Sequence, residues 1–124
     1  MAKNRILVID DETANVDLLK TLISAHGHEV LVAYDGLEGL RIARNDHPDS
    51  IVLDLMIPKL DGYKVCRMLK FDKKYSMIPI IICSAKDQDE DKRRGREVGA
   101  DAYITKPFDP SVLVDTITGL IENK

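Results

Sequence analysis

The chain has no tryptophan, only two phenylalanines and two cysteines among its 124 residues, and no excess of positive charge. Each shortage argues against a class of protein. Cys66 and Cys83 lie too far apart for a Cys-x-x-Cys pair, and neither has a histidine at metal-ligand spacing, so they read as reduced structural thiols. A formal net charge of -3 speaks against direct nucleic-acid binding and against a membrane-surface role, both of which usually need a basic face. No apolar run approaches the roughly 20 residues that cross a bilayer, and the amino terminus lacks a cleavable signal pattern, so a cytoplasmic location is expected. No internal repeat, low-complexity tract or long linker is evident. With 44% hydrophobic residues, the expectation is one compact domain over residues 1–124.

What is present is an alternation of short apolar runs with longer amphipathic stretches, the one-dimensional form of a parallel sheet wrapped by helices. Five strands are expected: Arg5 to Asp10, Glu29 to Ala33, Ser50 to Asp54, Pro79 to Ser84 and Ala102 to Thr105. The third and fourth are continuously apolar, as strands covered on both faces should be. The first helix carries Val16, Leu19, Leu22 and Ile23 on one stripe, and the last carries Leu113, Ile117, Leu120 and Ile121. Asp35 with Glu38, and Asp87 with Glu90, have spacings related to a capping box, while Asp61 and Asp109 can cap helices, the latter followed by Pro110. The stretch "DQDEDKRRGREVG", Asp87 to Gly99, has Val98 as its only large apolar residue and Gly95 inside it. It is expected to be the loosest helix.

Parallel strands joined by right-handed crossovers place their carboxyl ends along one edge of the sheet, where ligands bind. Here those ends supply Asp10 and Asp11, Asp54, Ser84, and Thr105 with Lys106. A strand order 2-1-3-4-5 would bring the three aspartates into a single crevice at the topological switch point. Two carboxylates about 4 Å apart repel by roughly 4 kcal/mol at an effective dielectric near 20, so three together would raise a pKa or demand a counterion. Magnesium suits it, taking one or two carboxylates and keeping positions for water or a phosphate. Asp54 would then be a nucleophile able to form an acyl phosphate, with Lys106 and Ser84 binding phosphoryl oxygens. Taken singly, each of these residues could be a turn, a cap or a solvated side chain. Their shared edge favours the chemical reading.

The motifs "VIDDE" (Val8 to Glu12), "VLDLMIPKLDG" (Val52 to Gly62), "ICSAKD" (Ile82 to Asp87) and "GADAYITKPFDP" (Gly99 to Pro110) together resemble the receiver domain of bacterial two-component response regulators, from Arg5 to about Ile121. The resemblance implies a flavodoxin-like α/β fold, five parallel strands in the order 2-1-3-4-5 flanked by five helices, and the strand order rests partly on it. It implies that Asp54 takes a phosphoryl group from the phosphohistidine of a sensor histidine kinase or phosphotransfer protein, making the chain a phosphoprotein that catalyses only its own phosphorylation and dephosphorylation. Magnesium would be held by Asp11, Asp54 and the backbone carbonyl of Met56, with Asp10 assisting through water. Ser84 and Lys106 match the family's hydroxyl residue and lysine, Tyr103 matches its switch aromatic, and the bond from Lys106 to Pro107 is expected to be cis. Output would pass to a downstream effector protein, with a receiver dimer possible.

Arg93 and Arg96 stand where receivers often carry apolar residues, and read either as a solvated basic face balanced by Asp89, Glu90 and Asp91 or as a docking surface. His26 and His28 flank Gly27 with no third ligand nearby, and the Lys70 to Lys74 segment reads as a polar loop. Two other functions compete. A magnesium-dependent aspartyl phosphatase of the haloacid dehalogenase type would need a second aspartate where Met56 stands, and a covering cap. An interaction module indifferent to phosphorylation would have no need for the strained acidic cluster.

Overall fold

A computed structural model describes residues 4–123. Five strands and five helices alternate: β1 (Arg5–Ile9), α1 (Thr13–Ser24), β2 (Glu29–Ala33), α2 (Gly36–Asp46), β3 (Ser50–Leu53), α3 (Gly62–Lys70), β4 (Ile80–Ser84), α4 (Asp89–Glu97), β5 (Ala102–Thr105) and α5 (Pro110–Glu122). All strand pairs are parallel and the sheet order is β2-β1-β3-β4-β5. Each expected strand is present, but Asp10, Asp54 and Pro79 fall one residue outside theirs. For the two aspartates that offset matters, because a residue just past a strand lies at the sheet edge, where its side chain can aim into the crevice.

Successive strand residues face opposite sides of the sheet, and the core divides accordingly. Leu7, Ile9, Ile51, Leu53 and Ile80 pack with Leu40 and Ala43 of α2 and with Val65, Cys66 and Leu69 of α3. On the other side Ile6, Val8, Val52, Ile81 and Cys83 meet Val16, Leu19 and Ile23 of α1 and Leu113 and Ile117 of α5. The stripes read from the sequence of α1 and α5 are therefore the buried ones. Each fully buried aliphatic side chain contributes about 1.5–3 kcal/mol.

Helix starts follow the expected caps at three of four positions. The carboxylates of Asp35, Asp61 and Asp109 accept from the N–H groups of Glu38, Lys64 and Ser111. At α4 the cap sits one residue later than Asp87: Gln88 is the N-cap and the Asp91 carboxylate accepts its N–H at 3.2 Å. The polar reading of Lys70 to Lys74 also needs amending at its first residue. Lys70 closes α3 and its ammonium is held by the Asp101 carboxylate at 2.9 Å and the Ile78 carbonyl at 3.1 Å.

Helix α4 differs from the others in what it buries. Gly95 is its one buried residue, and Val98, the only large apolar residue of the stretch, is the half-buried C-cap residue just beyond. A Cβ at Gly95 would lie 3.0 Å from Cδ2 of Tyr103 and 3.3 Å from Cδ1 of Ile82. The absence of a side chain there lets the helix approach the β5 tyrosine.

Candidate functional site

Ile9 and Leu53 are register partners at the ends of β1 and β3, so Asp10 and Asp54 leave the sheet side by side. The backbone holds both: Asp54 N–H donates to the Ile9 carbonyl at 2.9 Å and Asp10 N–H to the Ala33 carbonyl at 3.1 Å. Both residues are buried, at 2% and 8% exposure. Two anions so placed need a cation, and Lys106 supplies one. Its Nζ lies 3.0 Å from Oδ2 of Asp10 and 3.1 Å from Oδ2 of Asp54. Burial disfavours the lysine's charge, but the Asp10 hydrogen bond and the Asp54 charge outweigh it and hold the pKa above the ordinary lysine value. The ammonium is thus charged throughout the neutral range.

The carboxylates of Asp10, Glu12 and Asp54 converge, with one oxygen of each within 4.8 Å of the others. Glu12 was not singled out in the sequence, where Asp11 was. Asp11 is exposed and lines the same cleft of about 300 Å³ with Glu12, Asp54, Met56, Ala85 and Lys106, but its carboxylate is not in the converging trio. Glu12 is placed by its own turn: its N–H donates to Oδ1 of Asp10 at 3.0 Å and its carboxylate accepts from Asn15 at 3.2 Å. Across the cleft, Met56 N–H donates to Oδ1 of Asp54 at 3.2 Å. Gly62 opens α3 so close to this turn that a Cβ would stand 2.5 Å from the Asp54 carbonyl oxygen.

Ser84 ends β4, fully buried, and its hydroxyl oxygen accepts the Lys86 N–H at 3.2 Å. Tyr103 reaches the same loop from β5, donating its hydroxyl to the Lys86 carbonyl at 2.7 Å. Burial, with the nearby Tyr63 and Asp91 groups, pushes the Tyr103 phenol up to about 12, so it stays a hydrogen-bond donor. The peptide bond between Lys106 and Pro107 is cis. Of the residues named from sequence, Asp11, Asp54, Met56 and Lys106 line the cleft, Asp10 is joined to it through Lys106, and Ser84 and Tyr103 meet at Lys86 beside it.

Beyond that loop, Tyr63 of α3 donates its hydroxyl to the Asp91 carbonyl of α4 at 3.1 Å, and the Arg94 guanidinium lies 4.0 Å from the centre of its ring. Neither residue had been singled out in the sequence, and only an unpartnered aromatic at the start of α3 could have hinted at it. Arg93 is engaged along its own helix with Glu90 and Glu97, while Arg96 is exposed.

The response regulator receiver domain family matches residues 6–118. The chain belongs to that family. This receiver is 49% identical over 106 residues to the alkaline phosphatase synthesis transcriptional regulatory protein PhoP of Bacillus subtilis, covering 86% of the chain and 43% of PhoP. It is 39% identical over 117 residues to PilH of Pseudomonas aeruginosa, covering 94% of the chain and 97% of PilH. It spans about half the length of several of the curated relatives it matches, as with PhoP and, at 49%, the ycf27 protein of Porphyridium aerugineum. Among solved structures, the receiver domain of Francisella response regulator 1452 superposes with a TM-score of 0.91 at 35% identity, covering 98% of both chains. The receiver domain of a sensor histidine kinase from Pseudomonas aeruginosa PAO1, solved with a magnesium ion coordinated in its active site cleft, gives 0.90 at 26% identity, covering 98% of this chain and 99% of that one. Among the described residues, no helix is long and apolar enough to cross a membrane.

Proposed function

We propose that residues 1–124 form a single receiver that accepts a phosphoryl group on Asp54 from the phosphohistidine of a sensor histidine kinase or phosphotransfer protein and passes the signal to a downstream effector protein. The observation that carries this is the buried Asp54 carboxylate, ion-paired to Lys106 at 3.1 Å and flanked by two more converging carboxylates. A purely structural acid would gain nothing from the two added like charges.

In the transfer, a carboxylate oxygen of Asp54 attacks phosphorus as the bond from phosphorus to the donor's imidazole nitrogen breaks, and the imidazole leaves. The product is an acyl phosphate, which water later cleaves to free carboxylate and inorganic phosphate. Lys106 is already charged and within reach of Asp54, so it can follow a phosphoryl oxygen without reorganising. Ser84 lies at the neighbouring strand end with a hydroxyl able to donate to another oxygen.

The donor set fits a hard divalent cation: three carboxylates give only oxygen ligands, and their mutual repulsion exceeds what one lysine neutralises. Asp11, Asp54 and the Met56 carbonyl would hold magnesium, with Asp10 assisting through water and Glu12 as an added candidate. Bound magnesium would offset the charge of the phosphoryl oxygens during transfer. The absence of any disulfide pairing for Cys66 and Cys83 suits a cytoplasmic setting.

Arrival of the phosphoryl group biases two existing arrangements rather than building new machinery. Ser84 hydroxyl, if drawn to a phosphoryl oxygen, releases the Lys86 loop, and with it the Tyr103 hydroxyl and the α4 helix that packs on its ring. Incubation with a small phosphodonor and magnesium, followed by peptide mass spectrometry, should find an acid-stable, base-labile phosphoryl adduct on Asp54 that is missing in Asp54→Ala. An unmodified wild type, or an adduct that persists in the variant, would overturn the proposal.

A further inference from the structure

Helix α4 is expected to move, yet something must hold it in place before the signal, and apolar burial does not. Its first turn is acidic, its buried face is one glycine, and its fixed points are polar. The Tyr63 hydroxyl reaches across from α3 to the Asp91 carbonyl at 3.1 Å. Carbonyl oxygens have two lone pairs, so this bond adds to the helix's own hydrogen bonding. The Arg94 guanidinium, one turn along, covers the face of the same ring at 4.0 Å, in range of a cation–π attraction.

Tyr63 is itself rigidly placed. It is 6% exposed and packs with Leu55 and Ile82, against which Val98, Ala100 and Tyr103 also lie. Gly62, immediately before it, is pressed against the Asp54 carbonyl and donates its N–H to the Leu55 carbonyl at 3.0 Å. Tyr63 therefore connects the backbone that carries Asp54 to the first half of α4. Tyr103 contacts the same helix at Gly95 but is tied to the loop ahead of it, at Lys86. Both tyrosines meet α4 from the same cluster, and only Tyr103 is hydrogen-bonded to the loop that Ser84 governs.

We infer that Tyr63 is a positioning residue of the switch: its hydroxyl and ring latch α4 in the unphosphorylated arrangement, opposing the shift that phosphorylation of Asp54 favours. The inference rests on the Asp54 reading for its signalling consequence but not for the latch itself. Removing one such hydrogen bond from the unphosphorylated arrangement alone shifts the equilibrium by about 3–10-fold, the equivalent of a net bond of typical strength. A phosphoryl mimic that binds the other arrangement then binds tighter by up to the same factor.

The test compares wild type with Tyr63→Phe, which keeps the ring and removes only the hydroxyl, and with Arg94→Gln, which removes the cation above it. Amide exchange across Asp89–Glu97 should quicken in the magnesium-free variants while exchange in α1 and α5 stays as in wild type. Apparent affinity for beryllofluoride with magnesium should rise about 3–10-fold in Tyr63→Phe, and by less in Arg94→Gln. Unchanged α4 exchange overturns the latch. Faster α4 exchange with unchanged or weaker beryllofluoride affinity overturns its coupling to the site and leaves Tyr63 a packing residue. A wild type that takes up no beryllofluoride would defeat the Asp54 reading, while the exchange comparison would still decide the latch.

Discussion

Helices α4 and α5 precede and follow β5 yet are held by different physics. α5 buries Leu113, Val114 and Ile117, each of the first and last fully sealed against β-strand side chains. α4 buries only Gly95 and is held by the Tyr63 hydroxyl, an arginine over that ring and a carboxylate closing its first turn, while the Tyr103 hydroxyl ties the loop just before it. An aliphatic side chain contributes about 1.5–3 kcal/mol wherever the helix slides within its groove. A hydrogen bond contributes about 0.5–1.5 kcal/mol net and is lost within an ångström or so of displacement. The first kind of attachment fixes an element; the second lets a small free-energy bias relocate it. The chain has put the second kind between the acidic cleft and the surface, where a signal must travel.

The largest expected effect breaks the fixed side. Ile117→Ala should lower global stability by about 2–5 kcal/mol in chemical denaturation, whereas Val98→Ala, at a half-buried position beyond α4, should cost clearly less. Equal losses would erase the contrast. Next in size is Gly95→Val, which forces a branched side chain onto the Tyr103 ring and Ile82. A cost of about 1–3 kcal/mol is expected, with loss of the Tyr103 hydroxyl bond to Lys86, readable as a change in Tyr103 ring chemical shifts.

Smaller still is the effect of a cap on a fixed helix. The Glu38 N–H holds the Asp35 carboxyl below the usual aspartate range, with Lys59 adding to it. Its stabilisation is therefore present above the unfolded aspartate pKa and is lost as pH falls through the lower folded value. Asp35→Asn keeps a capping acceptor but removes the charge. Thermal melts should show the variant below wild type at neutral pH and a shallower acid-side decline, so that the gap narrows as pH falls. The smallest effect concerns the thiols. Burial pushes Cys66 up to about 12 and Cys83 up to about 11, so neither should react with a thiol reagent at neutral pH until the protein unfolds. Rapid labelling of the folded protein would show a core looser than described.

The same contrast explains what the sequence could and could not disclose. The β-strands, the α1 and α5 stripes and the Asp35, Asp61 and Asp109 caps all depend on neighbours a few residues apart, and each was legible. Asp10, Asp54 and Lys106 were found because parallel connectivity alone sends strand ends to one edge. Tyr63 and Arg94 were missed because their contact joins two helices 31 positions apart in numbering, through a packing angle no local pattern encodes. Gly95 was visible, but as a weakness of the helix rather than as room for the Tyr103 ring. The choice between Asp11 and Glu12 in the converging trio also turned on side-chain direction, which three adjacent acids do not reveal.

The most direct measurement is amide exchange of the wild-type chain with magnesium, with and without beryllofluoride. Protection should change across Asp89–Glu97 and the Lys86 loop while the buried turns of α5 around Leu113 and Ile117 stay constant. Saturated uptake with no response in α4, or with an equal response in α5, would contradict a switch built from polar attachments beside a fixed apolar frame.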